Sequence, residues 1–128
     1  MIRKSSTSPH LILVVEDDDV VRGVLCRVVG YAGYDTAAAA SGPAALTLLE
    51  AGFRPAAILL DVTMGGMDGF AFVERLRGLP ALAALPIVAM TEHVTLGAEA
   101  LARLQARASL RKPFTVEDLS LALRAAID

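Results

Sequence analysis

Five short runs of apolar and small residues alternate along this chain with five stretches whose apolar residues recur at helical spacing. The runs are Leu11 to Val15, Tyr34 to Ala38, Ala56 to Leu60, Ile87 to Met90 and Ala108 to Arg111. Runs of four or five residues are too short for typical helices and suit strands buried on both faces. Strands that alternate with helices predict an α/β fold: a doubly wound, five-stranded parallel sheet with right-handed crossovers and helices on both sides.

The helical stretches carry their own punctuation. Val20, Val21, Val24, Leu25, Val28 and Val29 recur at helical spacing after Asp18 and Asp19, which are placed to cap the helix and complement its dipole, and Gly30 and Gly33 close it. Ser41, Gly42 and Pro43 open a second helix with Ala45, Leu46, Leu48 and Leu49 inward, and Gly52 stops it. Phe70, Phe72, Val73 and Leu76 mark a third helix ending near Gly78 and Pro80. The segment from about Leu96 to Ala106 reads as a fourth, with Leu101 and Leu104 inward and Glu99 spaced to pair with Arg103. Thr115 and Asp118 resemble a capping box for a last helix carrying Leu119, Leu121, Leu123 and Ile127.

A chain of 128 residues suits one domain with one main core. Hydrophobic residues make up 55% and aromatics only 5%, so the core must be built from Val, Leu, Ile and Ala. A net charge of −2 offers no general pull toward nucleic acid, and direct DNA binding is not expected. Cys26 is the only cysteine, which excludes an intramolecular disulfide and leaves a Cys-based zinc site without ligands. The apolar run after the N-terminal residues is too short for a signal peptide, and no stretch reaches the length of a membrane span. These features together predict a soluble, cytoplasmic protein.

Parallel strands bring their carboxyl ends to one edge, where open α/β sheets bind ligands. Glu16 and Asp17, Asp61, Thr91 and Lys112 then reach one rim from four strands. Taken singly, Asp61 before a glycine-rich loop reads as a turn residue, Thr91 as a strand-end hydrogen bonder and Lys112 as a solvated charge. Together they suggest chemistry. Three crowded carboxylates invite a small hard cation, and Mg²⁺ takes oxygen ligands and often works beside phosphate. Thr91 and Lys112 would bind the remaining oxygens of a phosphoryl group carried on Asp61.

With these residues in view, the chain resembles the receiver domains of two-component response regulators from about Leu11 to its end, leaving residues 1–10 as a polar tail and 11–128 as the domain. The resemblance is carried, in order, by LILVVEDDD, LLDVTMGGMDGF, PIVAMT and RKPF. It implies a flavodoxin-like (βα)5 fold with strand order 2-1-3-4-5. It further implies a histidine kinase or phosphotransfer protein that donates from a phosphohistidine to Asp61, with Mg²⁺ held by Asp17, Asp61 and the backbone carbonyl of Thr63. Glu16 would act through a metal-bound water, and Lys112 to Pro113 looks like the family's cis bond. Phosphorylation would switch a downstream protein partner through the face from the fourth to the fifth helix.

Some positions depart from the family pattern. Gly65 stands where the family usually has Pro, and Gly65 with Gly66 should loosen the loop. Glu92 follows Thr91 where a small residue is typical, which predicts slow phosphorylation that Glu92→Ala should accelerate. Ser109 stands where many members carry the aromatic that swings inward on activation. These departures keep open a receiver-like docking domain that does not use phosphorylation. A Mg²⁺-dependent phosphatase is disfavoured by Thr63, where such enzymes commonly have a second acid. A flavodoxin-like cofactor protein is disfavoured by EDDD after the first strand, which would repel a phosphate. Asp68 reads as a turn residue, His93 as a loop residue, and Arg103 and Arg107 as a solvated face. No output module follows the fifth helix, which reads as a stand-alone receiver or a fragment.

Overall fold

The computed structural model describes residues 10–62, 69–91 and 98–128. In chain order the elements are β1 (Leu11–Val15), α1 (Asp19–Tyr31), β2 (Asp35–Ala39), α2 (Gly42–Glu50), β3 (Ala57–Asp61), α3 (Gly69–Arg77), β4 (Ile87–Thr91), α4 (Ala98–Leu104), β5 (Ala108–Arg111) and α5 (Val116–Ile127). The strands form one parallel sheet in the order β2-β1-β3-β4-β5, the expected order.

Side chains alternate across a strand, so each central strand feeds two cores. Leu13, Val15, Ile58, Leu60, Ile87 and Ala89 face α2, α3 and α4 through residues such as Leu49, Phe72, Leu76 and Leu104. Ile12, Val14, Leu59, Val88 and Met90 face α1 and α5 through Leu25, Val29, Leu119 and Leu123. Burial on both faces explains why β1, β3 and β4 read as unbroken apolar runs.

The helix starts follow the residues that mark them. Asp18 caps α1 by accepting from the Val21 N–H, Ser41 caps α2 with Pro43 in its first turn, and Thr115 and Asp118 form a reciprocal capping box on α5.

Several boundaries and faces differ from expectation. β2 begins at Asp35 rather than Tyr34, because the Tyr34 N–H is still bonded to the Val29 carbonyl of α1 while the Asp35 N–H has turned to His10. α4 stops at Leu104, since Gln105 takes a left-handed conformation, φ 52°. Val20 and Val24 are exposed and only Leu25 and Val29 of α1 are buried, because the apolar residues of α1 cover a wider arc than the sheet and α5 can bury. Leu121 likewise points outward, 61% exposed. Arg103 sets its guanidinium over the Phe70 ring, 4.4 Å from the centroid, instead of pairing with Glu99, and Arg107 donates to the Ala126 carbonyl at the end of α5.

Candidate functional site

Strand register assembles the site. Val15 lies opposite Leu60, so the next residues, Glu16 and Asp61, stand side by side where β1 and β3 end. Asp61 lies opposite Met90, which places Thr91 one residue further along β4. The Lys112 N–H donates to the Thr91 carbonyl at 2.7 Å and extends the β4–β5 pairing by one residue. Four strand ends thus converge, as the parallel reading required.

Glu16, Asp61 and Thr91 are 2%, 3% and 7% exposed, unusually low for polar side chains, whereas Asp17 is exposed. One carboxylate oxygen from each of Glu16, Asp17 and Asp61 falls within 4.8 Å of the other two. The Lys112 ammonium enters this cluster 2.6 Å from Glu16 Oε1 and 3.6 Å from Asp61 Oδ2. It donates a hydrogen bond to Glu16, and its ion pair with Asp61 is longer.

Glu16 is held on all sides. The Asp18 N–H donates to its Oε2 at 3.2 Å, and Arg22 Nη1 donates to its backbone carbonyl at 2.9 Å. Burial nevertheless raises the Glu16 carboxyl above the usual carboxylate range. The Asp61 charge adds to that rise, and the bonds from Lys112 and the Asp18 N–H oppose it. Desolvation outweighs the adjacent ammonium.

Glu16, Asp17, Asp61, Thr91 and Lys112 therefore all meet at one rim. Thr63, proposed from the resemblance as a carbonyl ligand, lies outside the described residues, as do Gly65, Gly66, Asp68, Glu92 and His93. The Lys112–Pro113 peptide is cis. Ser109 is half-buried on β5 and lines a groove of ≈ 480 Å³ with Leu110, Arg111, Phe114, Asp118 and Leu121.

Two residues escaped the sequence reading. Arg22 follows Asp19 by three positions, a spacing at which helical side chains meet, but nothing in the sequence shows that it also reaches back to the Glu16 carbonyl. The second is Gly69, at the start of α3. A Cβ there would lie 2.7 Å from the Val62 Cα and 2.9 Å from its carbonyl oxygen, so glycine is required by close packing. The MDGF signal for a tight approach was available but ambiguous.

A doubly wound sheet of this order, with an acidic pair, a buried Asp and a Lys at its carboxyl edge, defines a receiver-type signalling domain. The family model described as "Response regulator receiver domain" matches residues 12–124, and the chain belongs to that family. The response regulator MprA of Mycobacterium sp. (strain KMS) is 40% identical over 119 residues, which cover 91% of this chain and 50% of the relative. The chain thus spans about half the length of the curated relatives it matches. A solved structure from Chloroflexus aurantiacus J-10-fl superposes with a TM-score of 0.84 at 34% identity, covering 94% of this chain and 98% of its own. The receiver domain of the sensor histidine kinase PA1611 from Pseudomonas aeruginosa PAO1, solved with a magnesium ion coordinated in its active-site cleft, gives 0.82 at 28% identity, covering 92% and 97%. Residues 12–124 are accordingly a response-regulator receiver domain of a two-component system, a family of signalling domains.

Proposed function

We propose that Asp61 accepts a phosphoryl group from a phosphohistidine of a sensor kinase or phosphotransfer protein, in a Mg²⁺-dependent reaction. The observation that carries this reading is the convergence of Glu16 and Asp17 on a buried Asp61 with Lys112 beside it.

The residues fit a hard divalent cation. Three carboxylate oxygens within 4.8 Å of one another form an all-oxygen donor set with a net negative charge that Lys112 alone does not offset. Asp17 and Asp61 would hold Mg²⁺ together with the Thr63 carbonyl, and Glu16 would act through a metal-bound water. An ion held by these residues would supply charge neutralisation for the transferring phosphoryl group.

The chain's own groups supply the rest. An Asp61 carboxylate oxygen attacks phosphorus, the bond from phosphorus to the donor imidazole nitrogen breaks, and the bonding pair leaves with the imidazole. The Thr91 hydroxyl donates to one phosphoryl oxygen and the Lys112 ammonium binds another, which requires it to loosen its hold on Glu16. Thr91 is buried and the Lys112 side chain is only 14% exposed, and this poorly solvated setting strengthens both interactions. The acyl phosphate on Asp61 then shifts partner binding at the α4–β5–α5 face, where the groove beside Ser109 lies. The proposed exchange takes place in the cytoplasm; among the described residues no helix is long and apolar enough to cross a membrane.

Intact mass after incubation with acetyl phosphate tests the proposal. A gain of one phosphoryl group that needs Mg²⁺ and is absent in Asp61→Asn is expected. No gain in a protein that binds Mg²⁺ would favour the phosphorylation-independent docking reading, which the substitution of the usual aromatic by Ser109 also supports.

A further inference from the structure

We infer that Arg22 is a positioning residue for the acidic pair: its guanidinium fixes the peptide between Glu16 and Asp17, and so sets where their carboxylates meet a divalent cation. This rests on the reading of the rim as a Mg²⁺ centre.

The sheet hands the chain over at this peptide. The Glu16 N–H still donates to the Ala39 carbonyl of β2 at 3.1 Å, but the Glu16 carbonyl lies beyond the last residue of β1 and accepts from Arg22 Nη1 instead, at 2.9 Å. The second arm of the guanidinium, Nη2, bonds Asp19 Oδ1. The Arg22 side chain is 20% exposed and Asp19 87% exposed, so an inward-lying fork is steadied by a carboxylate from solvent. A planar group with paired donors can serve both acceptors at once, which a single ammonium does poorly.

The consequence follows from what else holds this turn. Glu16 Oε1 is fixed by Lys112, and Oε2 by the Asp18 N–H, which itself belongs to the cap of α1. Arg22 adds a constraint of a different kind, on the backbone. Rotation of the 16–17 peptide would carry the exposed Asp17 carboxylate with it. Groups behind metal ligands commonly control affinity in this way. The charge of Arg22 pulls in the opposite direction, since a cation near a Mg²⁺ site opposes binding. Positioning and repulsion therefore predict opposite signs when Arg22 is removed.

The test is calorimetric titration of the whole chain with Mg²⁺, beside urea unfolding in EDTA, for the wild type, Arg22→Met and Arg22→Lys. Arg22→Met is expected to bind Mg²⁺ roughly tenfold more weakly while folded. Arg22→Lys, which keeps the charge and one donor, should fall between it and the wild type. Unchanged or tighter binding in folded Arg22→Met overturns the inference, even if stability falls. Should Arg22→Met not fold, Arg22→Lys decides: weaker binding supports the inference and wild-type affinity overturns it. A wild type that binds no Mg²⁺ overturns the metal reading itself and the inference with it, which separates the two failures.

Discussion

Glu16 shows how one buried carboxylate can report the state of the whole site. Its folded pKa is raised above the ordinary 4.5, so the folded protein holds this proton more tightly than the unfolded chain does. The stabilisation is fully present below the unfolded pKa and is lost as pH rises through the higher folded value. Glu16→Gln keeps the neutral form at every pH. In metal-free urea titrations its stability relative to the wild type should therefore rise as the pH climbs above about 4.5, and a difference that falls or stays flat would contradict the burial argument. Gly69 makes a second prediction at this scale. Its missing Cβ is required by the Val62 backbone, which has little room to move because the Val62 N–H donates to Met90 and the Val62 carbonyl accepts from Gly69. Gly69→Ala should cost about 1–3 kcal/mol in urea denaturation, as overpacking does.

Between elements, Arg77 ties the far end of the fold together. From the last turn of α3 its Nη1 donates to the carbonyls of Ala83 and Leu85, and its Nη2 to that of Gln105 after α4. Burial lowers its pKa, with the charge of Arg107 contributing, and its Nε is buried with no hydrogen-bond partner among the described residues. The carbonyls it serves belong to connections without ladder partners of their own. Arg77→Met should cost about 1 kcal/mol, because the carbonyls it orphans are only partly buried and water can reach them in part. Hydrogen exchange should show the segment from Leu82 to Leu85 opening first, and uniform protection loss across the sheet would argue against a local clamp. The capping residues act at this scale too. They were legible in advance because a cap depends on residues three positions apart.

For the whole molecule, the proposed Mg²⁺ site links ligand binding to folding, because the three carboxylates meet only when β1 and β3 are paired. At ten times its Kd, Mg²⁺ should stabilise the chain by about 1.4 kcal/mol. Thermal unfolding should show a Tm that rises with Mg²⁺ for the wild type and far less for Asp17→Ala; an equal rise in both would place the ion elsewhere. The same pairing explains what could be read beforehand. Glu16, Asp17, Asp61, Thr91 and Lys112 were recognisable because each stands where an apolar run ends, and parallel strands leave those ends on one edge. Arg22 and Gly69 were not, since each acts through the backbone of another segment.

The sequence by itself determined the elements, their caps and the residues at the strand ends, because apolar periodicity and capping are written in neighbouring positions. Only the tertiary structure decided which helix covers which face of the sheet, why Val20, Val24 and Leu121 remain exposed, and that Lys112 bonds Glu16 more closely than Asp61. That last contact joins residues 96 positions apart. Its length is set by how two strand ends and their buried charges settle against each other in a poorly solvated rim, a balance of desolvation and packing that no local pattern encodes.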